Sequence, residues 1–144
     1  MSRMQRSKGA SGERELIQAI HAHLGVKLLR NLEQSRAGGH DLTLADNAEG
    51  GPVARELARY GIEVKRHSKA TQGLLREWWS QTTVQAQRAG LRPCLAYRAD
   101  RQDWRVVLPL AALVPSLEPW PGHEWTADLS LLGFVTLIRE QAAT

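Results

Sequence analysis

Gly61-Ile62-Glu63-Val64-Lys65-Arg66 alternates apolar and charged side chains behind an opening glycine. A period of two belongs to a β-strand, which sets Ile62, Val64 and Arg66 on one face and Glu63 and Lys65 on the other. Ile62 and Val64 can enter a core, and an acid and a lysine are left side by side opposite. Downstream, Leu74, Leu75, Trp78, Thr82, Ala86 and Ala89 follow helical spacing from about Thr71 to Ala89, and Gly90 and Pro93 stop that helix. Trp78 and Trp79 are adjacent and cannot both face inward squarely, so core burial of at least one is expected, with the other free to stack in a dimer interface or on DNA. Cys94–Arg98 and Trp104–Leu108 read as two strands joined by the polar turn Ala99–Asp103. A Pro-rich connection, Pro115–Gly122, leads to a last helix capped by Ser130 and running to about Gln141.

Upstream, Leu42-Thr43-Leu44 suggests a strand beginning at Asp41, preceded by a loop from Gln34 to His40 that holds Ser35 and Gly38-Gly39. Lys27–Leu32 reads as a short strand. Leu16, Ile17, Ile20 and Leu24 mark one face of a helix over Glu13–Leu24. Between Asn47 and Tyr60, Gly50-Gly51-Pro52 marks a turn, and Ala54–Arg59 fits either a helical turn or an irregular strand. The resulting order is helix, three strands, helix, two strands, helix. That points to an α/β fold with a mixed sheet rather than a regular βαβ repeat.

A chain of 144 residues, 42% hydrophobic and 24% charged, suits a single folded domain over residues 1–144. It can bury a core without disulfides, and Cys94, its one cysteine, cannot form one internally or build a zinc site. The longest stretch without charge, Val106–Leu117, is twelve residues broken by Pro109 and Pro115, too short to span a bilayer. The N-terminus carries no apolar signal core, so a cytoplasmic protein without membrane attachment is expected. Residues 1–72 hold 12 basic and 8 acidic side chains, and residues 73–144 hold 7 of each. The whole net charge of +4 therefore sits in the first half, as a polyanion-binding face requires.

Glu63 and Lys65 alone also suit a solvated sheet, Asp41 a turn, and Glu13 any helix start. Together they suit chemistry. Asp41 and Glu63 on neighbouring strands would repel each other unless a cation lay between them, and hard oxygen ligands favour Mg²⁺ or Mn²⁺. Such an ion could polarise a phosphodiester, with Lys65 orienting the nucleophile or stabilising the developing charge.

The segments Lys8-Gly9-Ala10-Ser11-Gly12-Glu13, Ser35-Arg36-Ala37-Gly38-Gly39-His40-Asp41 and Ile62-Glu63-Val64-Lys65, in this order, resemble the PD-(D/E)XK nuclease superfamily, and most closely the archaeal-type Holliday junction resolvases. The likeness covers roughly residues 8–108. It implies a restriction-endonuclease-like core, a central mixed sheet of about five strands flanked by helices. Residues 1–10 would be a basic N-terminal arm, and residues 109–144 a C-terminal extension with no counterpart. The resemblance further implies Asp41 and Glu63 as ligands of Mg²⁺, or Mn²⁺, with the Val64 carbonyl and Glu13 as further ligands. Lys65 would be the stabilising cation and Gln81 a supporting catalytic residue, with Gln85 the next choice. One departure is His40, where proline usually precedes the aspartate.

The activity this implies is a Mg²⁺-dependent DNA endonuclease acting on branched DNA in recombination or repair, as a homodimer matched to the two-fold symmetry of a four-way junction. Arg3, Arg6, Lys8, Ser35, Arg36, Arg66 and Lys69 are the expected DNA contacts, because cations flanking the chemistry hold the backbone at it. The alternatives are a nicking or restriction-type nuclease of the same superfamily, and a DNA-binding module that keeps the fold without catalysis.

Overall fold

The computed structural model describes residues 3–32, 39–45 and 50–144, with side chains from Lys8 onward. Among the described residues, five α-helices, α1 (Arg3–Leu24), α2 (Pro52–Leu57), α3 (Gln72–Ala89), α4 (Leu110–Leu113) and α5 (Leu131–Ala142), surround one sheet. The sheet runs in chain order through β1 (Leu28–Arg30), β2 (Leu42–Leu44), β3 (Tyr60–His67), β4 (Arg92–Ala99), β5 (Arg105–Pro109) and β6 (Thr126–Ser130). Every neighbouring pair is antiparallel except β3 and β4, which run parallel from Tyr60 opposite Arg92 to His67 opposite Ala99. A parallel pair needs a crossover, and α3 supplies it. The result is the mixed, helix-flanked sheet of a restriction-endonuclease-like core.

The sheet has six strands rather than about five. β6 carries only Ala127 and Leu129 as apolar alternation, too weak a pattern to distinguish it from a connection. Pairing with β5, from Arg105 opposite Ser130 to Pro109 opposite Thr126, makes it a strand. The ambiguous Ala54–Arg59 stretch is helical: Pro52 sits at the first helical positions, where its fixed φ helps, and Ala54 and Leu57 are buried. α1 begins at Arg3, so the stretch expected as an arm forms the first turns of the helix that carries Glu13. Thr71 Oγ1 accepts from Leu74 N–H at 3.2 Å to cap α3, and Gly90 closes it at φ 68°.

The sheet packs on both faces. Leu16 and Ile20 of α1, Leu57 of α2 and Phe134 and Ile138 of α5 cover Ile62, Val64, Val106 and Leu108. On the other face, Leu75, Trp78 and Trp79 of α3 cover Leu95, Tyr97 and Val107. Both tryptophans are buried, Trp78 at 4% and Trp79 at 2% exposure, where burial of at least one is expected. They are accommodated in different places. Trp78 lies against the His67 and Tyr97 rings, with centroids 4.7 and 6.3 Å away. Trp79 turns toward the C-terminal segment, where its indole N–H donates to the Pro121 carbonyl at 2.9 Å. No described helix is long and apolar enough to cross a membrane.

Candidate active site

β2 pairs with β3 only through Leu42 opposite Ile62, so the two strands part beyond that point. Asp41 stands at the fork. Its N–H donates to the Ile62 carbonyl at 2.9 Å, and its Oδ2 accepts from Val64 N–H at 2.7 Å. The side chain thus takes the place of the next ladder acceptor. Because the N–H and C=O of one strand residue leave along the same edge, the Val64 carbonyl also opens toward the fork. The backbone on the other side of Asp41 is tied down too, its carbonyl accepting from Asn31 N–H at 2.6 Å.

Glu63 is 6% exposed. Its Oε1 lies 3.6 Å from Lys65 Nζ, one strand period further on the same face. Its Oε2 is buried, and no donor among the described residues reaches it. Burial raises the Glu63 carboxyl above the ordinary glutamate range, the negative charge of Asp41 raises it further, and Lys65 opposes. Asp41 is raised as well, again chiefly by burial, with the Val64 amide and Lys65 opposing and Glu13 adding to the rise. Two buried acids in hydrogen-bonding contact, one with an oxygen that no donor satisfies, are stabilised either by a shared proton or by a cation. A small divalent ion taking oxygen ligands fits this donor set.

These groups line a cleft of about 610 Å³. Glu13, Arg66, His67 and Gln81 line it too, with Trp78 at its wall. Glu13 is ion-paired with Arg30. Among the described residues no three His, Cys, Asp or Glu side chains converge in a metal-holding cluster, although Glu13 lies near enough for its charge to act on Asp41. Gln81 is exposed at the cleft, whereas Gln85 lies outside its lining, with a buried Oε1 that has no partner among the described residues. Of the expected DNA contacts, Lys8 and Arg66 both bind Asp100, and Lys69 is exposed just beyond β3. Arg3 and Arg6 lie in α1, but their side chains, like Ser35 and Arg36 as a whole, fall outside the described residues.

A sequence family described as phage putative PDDEXK endonuclease matches residues 4–126. The chain belongs to this family. The matched span reaches from α1 into the first residue of β6 and includes the whole fork. No curated protein matches the sequence. Among solved structures, Hjc of Archaeoglobus fulgidus, a Holliday junction resolvase from an archaeal hyperthermophile, is similar at 18% identity and a TM-score of 0.45, over 95% of this chain and 97% of that one.

In this PDDEXK family member Arg30 and Glu77 also line the cleft, and neither stands out in the sequence. Arg30 pairs with Glu13 across two elements, and no local pattern signals that. His67 was legible: it follows Glu63 and Lys65 at the same two-residue period and therefore shares their face. Its imidazole is held below the ordinary histidine range by burial, then by the charges of Lys65 and Lys8. The departure at His40 has a simple reading. The backbone hydrogen bonds that fix Asp41 do not run through the His40 N–H, so histidine in place of proline leaves that anchoring unchanged. Its Nε2 lies 3.5 Å from Asn31 Nδ2.

Proposed function

We propose that the chain is a divalent-metal-dependent DNA endonuclease that hydrolyses phosphodiester bonds in branched DNA and works as a homodimer. The observation that carries the reading is the buried Asp41–Glu63 pair beside Lys65, with Glu63 Oε2 unsatisfied. Family membership supports it independently. Asp41, Glu63 and the Val64 carbonyl would hold Mg²⁺ or Mn²⁺, with Glu13 placed to act from the rim. When bound, the ion supplies positive charge against the phosphodiester and makes water a better nucleophile.

The chain's own groups do the rest. Lys65, held 3.6 Å from Glu63, presents an ammonium to the negative charge that develops on phosphorus oxygens. Gln81 faces the cleft from α3 and orients water or phosphate. The Trp78 ring closes one wall and limits solvent at the chemistry. Lys8, Arg66 and Lys69 hold the backbone, together with Arg3, Arg6, Ser35 and Arg36.

The test uses a labelled synthetic four-way junction and a linear duplex of the same sequences, each with Mg²⁺ or EDTA, alongside Lys65→Ala and Asp41→Ala. Paired, symmetric, Mg²⁺-dependent nicks in the junction alone, absent in both variants, are the expected result. Equal cleavage of duplex would keep the nuclease and discard the branched substrate. Tight DNA binding with no cleavage under Mg²⁺ or Mn²⁺ would refute catalysis.

A further inference from the structure

We propose that Asp100, in the β4–β5 turn, is a positioning residue that pre-assembles Lys8 and Arg66 into one backbone-phosphate site at the rim of the cleft; this rests on the nuclease reading above. Lys8 Nζ lies 3.1 Å from each Asp100 oxygen, and Arg66 Nη1 lies 2.5 Å from Oδ1. One carboxylate therefore binds a cation from the early turns of α1 and another from the end of β3. The two segments are already pressed together. A Cβ on Gly12 would lie 2.7 Å from the Arg66 Cβ, so only a glycine lets α1 rest on the Arg66 stem.

Asp100 is itself fixed by backbone. Its N–H donates to the Ser68 carbonyl at 3.3 Å, and Gln102 N–H donates to Ala99 at 3.1 Å. Between them Arg101 takes the left-handed conformation, at φ 65°. The carboxyl is held below the ordinary aspartate range, first by the hydrogen bonds from Arg66 and Lys8, and so stays charged at neutral pH.

The cations are aligned but not consumed. Of the five N–H donors of Arg66, Nη1 serves Asp100 and the His67 carbonyl, while Nε and Nη2 have no partner among the described residues. Lys8 retains donors as well. The triad carries a net charge of one positive unit, and its remaining donors sit on two side chains that would otherwise repel each other and sample many rotamers. A phosphate arriving there meets a site whose ordering cost is already met.

This role makes a prediction opposite in sign to simple electrostatics. Removing a carboxylate beside a polyanion site should tighten DNA binding if Asp100 only neutralises charge, and weaken it if Asp100 assembles the site. Asp100→Asn keeps the shape and the turn preference. Because the ion pairs are solvent-accessible, the fold should lose little stability. Wild type and variant are titrated with a labelled four-way junction in Ca²⁺ over a series of salt concentrations, with thermal unfolding measured alongside.

The expected result is a Kd about tenfold weaker at low salt, and a slope of log K against log salt shallower by about one, at nearly unchanged Tm. A merely structural role would lower Tm and the active fraction without changing that slope. Equal or tighter binding by the variant, or an unchanged slope, overturns the inference alone. Failure of the wild type to bind DNA overturns the nuclease reading and this inference with it.

Discussion

Glu63→Gln should stabilise the metal-free protein and remove its response to Mg²⁺. Lys65 Nζ, 3.6 Å from Glu63 Oε1, attracts the ionised carboxylate by about 4–5 kcal/mol at an effective dielectric of about 20. Asp41 repels it from hydrogen-bonding contact, so the two Coulomb contributions largely offset and the cost of burying the charge remains. That cost is on the order of 2–5 kcal/mol, the upper end matching a carboxyl pushed up to about 8. Glutamine removes it: Oε1 can stay beside Lys65, and Nε2 can donate to Asp41 where Oε2 now has no donor.

The sign follows from a carboxyl whose folded pKa is raised. The penalty is absent below the unfolded pKa of about 4.3, grows as pH rises, and is complete above the folded pKa. Urea unfolding in EDTA near pH 8, where most of the penalty is present, should therefore show the variant more stable by roughly 2–5 kcal/mol, a midpoint higher by about 1–2 M, and the two proteins should converge below about pH 4. Mg²⁺ at about a hundred times its Kd should restore about 2.7 kcal/mol to the wild type and nothing to the variant. A variant less stable than wild type in EDTA at pH 8, or equally stabilised by Mg²⁺, would refute the account of the pair.

Lys65→Met should fold normally and lower kcat by roughly 10²–10³ with little change in DNA affinity, since its ammonium is placed for charge that appears during reaction; single-turnover cleavage checks this. Mg²⁺ binding should release protons and weaken as pH falls, because Asp41 and Glu63 are both raised and must ionise to serve as ligands; calorimetry in buffers of different ionisation enthalpy measures the release. Gly12→Ala should destabilise by about 1–3 kcal/mol although alanine is the better helix former, because its Cβ would meet the Arg66 Cβ at 2.7 Å; thermal unfolding reads the sign.

The strands and helices that carry strong periodicity were legible in the sequence. β3 and α3 appear within two residues of their expected limits, because Ile62 and Val64 alternate cleanly and the Leu74–Ala89 spacing is helical. The α1 start was not, since its first turns carry no apolar stripe and only the backbone course reveals them. β6 escaped because an edge strand is defined by its partner, here β5, more than by its own side chains. Trp79 escaped for a related reason: the group that satisfies its indole N–H is the Pro121 carbonyl, 42 residues away. The Asp41–Glu63–Lys65 constellation was readable as a pattern. Its electrostatic condition was not, because burial and the missing donor at Glu63 Oε2 depend on where α3 and the fork come to lie.

The fork also explains why the acids fall where they do. Had β2 continued to pair along β3, the Val64 N–H and carbonyl would be spent on the ladder, and Asp41 would have no edge to reach. Ending the pairing at Leu42 opposite Ile62 leaves two backbone groups on one edge, and Asp41 Oδ2 satisfies the N–H. Val64, Asp41 and Glu63 then border one cleft. Lys65 partly balances the two acids from the same face of β3 as Glu63, one strand period beyond it. An unfinished sheet edge is ordinarily a liability that proteins cover or charge. Here, on the proposed reading, it would gather oxygen ligands that a fully paired edge would spend on its ladder.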